Sequence, residues 1–302
     1  MDSLARRLAN ILAGNAPSAA VLELTLTGPA LHFEADALIA ITGAALSPAI
    51  DGWPVPAGRA VLIRAGTELT FGACTAGCRG YLAVAGGIDV PVVLGSRATN
   101  LRAHFGGVEG RALRAGDRLP VGSPSPDAVR LVARLGKSGR TWIADHAGFS
   151  REFTARTGPE VPLRLLLETM GNQLSIEGRN TLFDSAFRLS MNSDRMGYRL
   201  EGPALVPTAG NGVTSEAVTW GTVQLPPDGQ AIILLADRQT TGGYPVIGQV
   251  AAVDLPVLAQ RKPGDELRFA MTTLAAAQDA LLERERAIAI ATQALHASRT
   301  GE

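Results

Sequence analysis

Tyr81-Leu82-Ala83-Val84-Ala85-Gly86-Gly87, with Val93-Leu94-Gly95 close behind, reads as an apolar strand running into a glycine turn. The same succession returns at Ile232-Ile233-Leu234-Leu235-Ala236, Gly242-Gly243 and Val246-Ile247-Gly248. Upstream, Ile41-Thr42-Gly43-Ala44-Ala45-Leu46 is echoed by Leu200-Glu201-Gly202-Pro203-Ala204-Leu205. Downstream, Arg114-Ala115-Gly116-Asp117-Arg118-Leu119 is echoed by Lys262-Pro263-Gly264-Asp265-Glu266-Leu267. Any one match is weak, because Gly-Asp turns before strands are common. Matches kept in the same order imply an internal duplication, and so two similar β-rich lobes.

Short apolar segments punctuated by Gly and Pro surround these anchors. Leu22, Leu24 and Leu26 alternate with Glu23, Thr25 and Thr27, the pattern of a half-buried strand. Further strands are expected at 38–42, 59–64, 67–71 and 79–85, then at 163–168, 186–191, 217–225, 230–236, 246–253 and 266–271. Spacing this close favours a sandwich or barrel over a βαβ array. The chain opens directly on a helix at 1–15, with Asp2 or Ser3 to cap it and Gly14-Asn15 to stop it. An Ala-rich helix is expected at 274–297, with Asp279 early and Arg and His late, as the helix dipole favours. The expectation is a mostly β protein with flanking helices. Its parts are a first β lobe over 1–122, a connector over 123–162, a second β lobe over 163–273 and a C-terminal helix over 274–302.

Lys plus Arg total 28 and Asp plus Glu total 28, so nothing marks a nucleic-acid footprint or an acidic tail. Two cysteines in 302 residues exclude a disulfide scaffold and fit a reducing, cytoplasmic setting. No apolar run reaches the ~18 residues of a membrane span, and no leader pattern is present. Cys74 and Cys78 have no second Cys pair or close His pair, so a structural role fits better than zinc. Gly136-Lys137-Ser138 ends like a P-loop, but Leu131 stands where that pattern demands Gly.

Three polar segments can carry chemistry. Asn192-Ser193-Asp194-Arg195-Met196-Gly197-Tyr198-Arg199 gathers an acid, two arginines and a tyrosine. Arg195 and Arg199 suit bidentate contacts with a carboxylate, and Asp194 can fix a guanidinium or act as a base. The alternative is an internal Asp–Arg network between strands. Asp237-Arg238-Gln239-Thr240-Thr241-Gly242-Gly243-Tyr244-Pro245 follows an apolar strand and can bring backbone N–H groups close to an anion. The alternative is a tight turn whose glycines serve positive φ alone. The first-lobe counterpart, Val84 to Asp89, lacks the polar side chains, which favours a ligand role for the second-lobe loop. Gly95-Ser96-Arg97-Ala98-Thr99-Asn100, with Arg79 upstream, can bind a carboxylate or merely satisfy a turn.

Taken together, Gly77 to Gly87 with Gly95-Ser96-Arg97, Ser193 to Pro203, and Asp237 to Pro245 resemble the allophanate hydrolase subunit 2 family, also called the biotin-dependent carboxyltransferase-like family. The resemblance covers about residues 1–271. It implies two related cyclophilin-like β-barrel lobes and a place in an ATP-dependent 5-oxoprolinase, which opens 5-oxoproline to glutamate. ATP would be the co-substrate, held by the chain or by the complex. The implied partners are an allophanate hydrolase subunit 1-like protein, a third oxoprolinase subunit and a small amide substrate, with no nucleic acid and no membrane. The implied catalytic groups are Asp194, Arg195, Tyr198 and Arg199. The implied substrate-binding groups are Gln239, Thr240, Thr241, Gly242, Gly243, Tyr244, Arg79, Ser96 and Arg97. The family also contains carboxyltransferases that use biotin, and a partner that antagonises a kinase inhibitor; these are the alternative readings. In the family pattern a further strand precedes a Met-Asp pair that aligns with Met1-Asp2. The first-lobe counterpart of the segment leading to Ser193–Leu200 is therefore expected to be missing. A Gly-Pro-Gln run is expected where this chain has Glu168 to Gln173.

Overall fold

The computed structural model describes residues 1–149, 161–167, 173–208 and 215–300. Residues 168–172, where the family run departs, lie outside them. The chain divides into two compact units, one holding Asp2–Ala155 with Ile290–Glu302, the other Met1 with Arg156–Ala289.

The first unit begins with the helix Ser3–Ala13. The Asp2 carboxylate accepts the Ala5 N–H at 2.8 Å, and Gly14 ends the helix in the left-handed region. Its apolar face, Leu8, Ala9 and Leu12, packs on Ala40, Tyr81 and Ala83. These belong to an antiparallel sheet ordered Leu22–Thr25, Ala76–Val84, Ala37–Ala45, Arg59–Ile63, Trp142–Gly148. Ile39, Ile41, Val61 and Leu82 fill its opposite face together with Ile50 and Leu69 of a four-stranded sheet. Apolar layers on both faces explain why Leu38-Ile39-Ala40-Ile41 is a continuous apolar run and does not alternate.

The segment read as a connector contributes two elements to this unit. The helix Pro126–Leu135, capped by Ser125, buries Ala128, Leu131 and Leu135 against Leu38 and Leu62. The strand Trp142–Gly148 pairs with Arg59–Ile63. Asp145 has a side chain with 0% exposure and accepts from Arg134 at 2.9 Å and Arg299 at 3.1 Å. Arg299 also donates to the Leu12 carbonyl at 2.9 Å, which fixes the last turn of the C-terminal helix Leu274–Thr300 to this unit.

In the second unit eight strands follow the order Glu266–Leu267, Phe187–Leu189, Gly197–Glu201, Ile232–Leu234, Thr222–Gln224, Val246–Val250, Leu163–Leu166, Phe269–Thr272. Every pair is antiparallel except the last. Only Arg268 separates Glu266–Leu267 from Phe269–Thr272, yet the two lie at opposite ends of the order. A flat sheet cannot place neighbours in sequence at its two edges, so the sheet curls into a nearly closed barrel. Its core includes Leu163, Leu165, Phe187, Tyr198, Val223 and Ile233. A short helix, Ile176–Asp184, absent from the sequence-based expectation, is capped by Ser175 and buries only Gly178 and Leu182.

The duplication is visible in backbone detail. The strand holding Ile41 pairs with the strand holding Leu82, as the strand holding Arg199 pairs with the strand holding Ile232. The two Gly-Asp turns match as well. The Arg114 N–H donates to Asp117 Oδ2 at 2.8 Å, with Gly116 at φ 87°. The Lys262 N–H donates to Asp265 Oδ2 at 3.0 Å, with Gly264 at φ 89°.

Candidate functional site

Strand alternation divides the Ser193–Leu200 motif into two faces. Tyr198 and Leu200 point into the barrel, and the Tyr198 hydroxyl donates to the Arg261 carbonyl at 2.7 Å. Arg199 is exposed on the outer side. Its cross-strand partner is Ile232, which pairs with Gln224, which pairs in turn with Val246 across a register shift. Ile232, Leu234 and Val246 gather with Val218 in a small apolar cluster distinct from the barrel core. The wall therefore carries buried groups on both faces, and a two-strand ribbon, Glu216–Ala217 with Thr241–Gly242, belongs to the outer one.

The Arg195 and Asp237 segments meet here. Arg195 Nε donates to Asp237 Oδ2 at 2.9 Å and Nη2 to Oδ1 at 3.3 Å, a two-pronged fork. The Asp237 N–H returns to the Arg195 carbonyl at 2.9 Å. Asp194 shapes the turn: its Oδ1 accepts the N–H groups of Met196 at 2.8 Å and Gly197 at 3.2 Å. Beyond Asp237, Gln239, Thr240, Thr241, Gly243 and Tyr244 are exposed, while Gly242 is buried. Neither Gly242 nor Gly243 has a positive φ, so the tight-turn account of this pair does not hold. Gly242 is small for another reason: a Cβ there would lie 2.3 Å from Gln224 Nε2.

The first-lobe candidates have separate partners. Arg79 is 5% exposed and lies beside Cys78 Sγ and Glu23. There the Tyr81 hydroxyl donates to Glu23 Oε2 at 2.7 Å and accepts the Asp2 N–H at 2.6 Å. Burial, with Glu23 and Asp2 nearby, pushes the Tyr81 hydroxyl well above its ordinary pKa. Arg97 instead donates to Asp89 Oδ1 at 3.0 Å and to the Val90 carbonyl, and Ser96 Oγ accepts the Ala98 N–H at 3.1 Å. These bonds fold the loop onto itself.

Gly136-Lys137-Ser138 forms a 3₁₀ turn at the end of a helix, whereas a P-loop opens one. Both cysteines are free, and among the described residues no three His, Cys, Asp or Glu side chains gather to hold a metal. No helix among them is long and apolar enough to cross a membrane. Sequence reasoning missed Gln224. The available signal was a glutamine between Val223 and Leu225 in an otherwise apolar strand.

A family model described as carboxyltransferase domain, subdomain A and B, matches residues 1–271. The C-type subunit of the Escherichia coli K12 5-oxoprolinase is 37% identical over 286 residues, 95% of this chain and 86% of that protein. The C-type subunit of the Haemophilus influenzae 5-oxoprolinase is 36% identical over 274 residues, 91% of this chain and 82% of that protein. Among solved structures, the urea amidolyase of K. lactis superposes with a TM-score of 0.82 at 26% identity. That match takes in 95% of this chain but only 18% of the larger one. Two β-rich lobes with matching turns, a nearly closed second barrel and a family match over nearly all of both lobes agree: the chain belongs to the carboxyltransferase domain, subdomain A and B, family.

Proposed function

We propose that this chain is the C-type subunit of an ATP-dependent 5-oxoprolinase and that, with partner subunits, it opens the lactam of 5-oxoproline to glutamate. The observation that carries the proposal is the 37% identity to the Escherichia coli C-type subunit, over 95% of this chain and 86% of that one. We place the substrate on the outer wall of the second barrel, between Arg195, Arg199 and the Thr240–Tyr244 loop. The substrate brings a carboxylate, which suits a neighbouring guanidinium. Its lactam oxygen gains negative charge as water attacks, and that charge needs cations and N–H donors aimed at it in advance. Arg199 and the backbone N–H groups of the loop supply them. Asp237 holds Arg195 in orientation. Tyr198 and Asp194 support the strand and the turn that carry the arginines.

Gly136-Lys137-Ser138 is not built as a P-loop, which excludes that cradle alone; the nucleotide is held by the chain or by the assembled complex, and no step here is routed through it. The partners are an allophanate hydrolase subunit 1-like protein and a third oxoprolinase subunit. Two free cysteines suit a reducing cytoplasm. The likeness to urea amidolyase supports a second reading, a carboxyltransferase acting on carboxybiotin and a urea-like amide. One assay separates them: the chain is combined with its partner subunits and ATP, and glutamate and ADP are measured with and without 5-oxoproline. Glutamate formed in step with ADP is the expected result. No turnover with a complete set of partners overturns the proposal. Turnover that requires a biotin carrier and a urea-like amide supports the second reading.

A further inference from the structure

We infer that Gln224 is a positioning residue: its side-chain amide clamps the Thr241–Tyr244 backbone onto the outer wall of the second barrel. The inference rests on the reading that this loop receives the substrate. Gln224 belongs to the strand Thr222–Gln224, whose inward neighbour Val223 is part of the barrel core. Its cross-strand partners Ile232 and Val246 both belong to the outer apolar cluster, which puts Gln224 on the outer side. A glutamine on the outer side of a barrel wall is ordinarily solvated. This one is 1% exposed.

Two contacts account for that burial. Gln224 Nε2 donates to the Tyr244 carbonyl at 3.2 Å. Gly242 lies so close that a Cβ would stand 2.3 Å from Nε2 and 3.1 Å from Cδ. The amide is therefore wedged between Gly242 and the Tyr244 carbonyl, one residue apart on either side of Gly243. Burying a primary amide is costly unless it is hydrogen-bonded, so the bond to Tyr244 and the close fit to Gly242 depend on each other. The adjoining Leu225 N–H donates to the Pro245 carbonyl at 2.8 Å and fixes the far end of the loop. The exposed side chains of Thr240, Thr241 and Tyr244 thus project from a backbone whose height above the wall is set by Gln224. Arg199 stands in the same cross-strand row, two strands away through Ile232, so the clamp also sets the spacing between loop and guanidinium.

The test uses Gln224→Met, which keeps the length of the side chain and loses the donor, together with Gln224→Ala, Gly242→Ala and the double variant Gly242→Ala/Gln224→Ala. Amide hydrogen exchange is followed at residues 241–244 in the free chain, and kcat and KM for 5-oxoproline are measured in the complete complex. We expect exchange in the loop to speed up roughly tenfold in Gln224→Met, the worth of about one neutral hydrogen bond, while barrel-core amides stay unchanged. KM should rise by a similar factor with a smaller fall in kcat. Gly242→Ala should show the same signature, and the double variant should be no worse than Gln224→Ala alone, because the second change removes the atom that the new methyl meets. Exchange in the loop that matches wild type in Gln224→Met overturns the clamp. Faster exchange with kcat and KM both unchanged overturns the positioning role. If the wild-type complex does not turn over 5-oxoproline, the function reading fails, and the exchange arm still decides the clamp.

Discussion

Gly86-Gly87 and Gly242-Gly243 occupy the same place in the repeat but answer to different constraints. Gly86 and Gly87 have φ of 93° and 70°, and a Cβ on Gly86 would stand 1.9 Å from the Gly122 carbonyl oxygen. This pair is a true left-handed turn with backbone pressed against backbone. The second pair lies outside the left-handed region, and Gly242 is pressed against a side chain. Each loop is nevertheless held by a carboxamide. In the first lobe Asn15 accepts the Gly86 N–H and donates to the Val84 carbonyl, both at 2.8 Å. In the second lobe Gln224 reaches the Tyr244 carbonyl. The copies keep the scaffold while the loops diverge: the first closes on itself, and the second spreads polar side chains over an exposed edge.

The widest test of this difference is alanine at the two glycines. Gly86→Ala should cost about 4 kcal/mol, the left-handed strain added to the overpacking against Gly122. Gly242→Ala carries no backbone strain and should cost about 1 kcal/mol. Urea midpoints at matched m-values measure both. Equal losses would break the comparison.

Arg195 sharpens it from the side of function. The Arg195–Asp237 pair is about a third exposed, so Arg195→Ala should lower stability by at most about 1 kcal/mol. If the guanidinium that Asp237 holds also meets the substrate, as proposed, its loss should cost about 100-fold or more in kcat/KM. A variant within about threefold of wild-type activity would return the fork to an internal network between strands.

Much of this was legible in the sequence because it depends on local rules. The repeat, the Asp2 cap, the Gly14 stop and the two Gly-Asp turns each need only neighbouring residues. The strand limits came close for the same reason, although the stretch read as one strand from 217 to 225 is broken by Gly221 at φ 90°. What stayed hidden depends on distant residues. Trp142–Gly148 becomes a strand because Arg59–Ile63 offers it an edge. The barrel closes because Glu266–Leu267 and Phe269–Thr272 find different partners. Gln224 is indistinguishable from a solvated glutamine until Gly242 and the Tyr244 carbonyl are placed over it. Tyr198, grouped by sequence with the reactive residues beside it, faces the core because strands alternate.

The smallest effect separates the two Gly-Asp turns, which share a backbone but not a partner. Asp117 accepts a guanidinium fork from Arg111, at 2.8 and 2.9 Å, and Asp265 accepts the single ammonium of Lys262 at 2.6 Å. The Arg111 fork, then the Arg114 N–H, holds the Asp117 carboxyl down at about 2. Its folded value lies below its unfolded one. The carboxylate therefore adds stability at pH above the ordinary carboxylate range and loses it as pH falls from about 4 toward about 2. Asp117→Asn cannot titrate, so its denaturation midpoint should fall less steeply than wild type across that window and lie slightly below it at neutral pH. Acid titrations of both proteins at fixed urea check this. Parallel curves would mean that the Arg111 fork adds nothing beyond the turn that Asp265 already forms with Lys262.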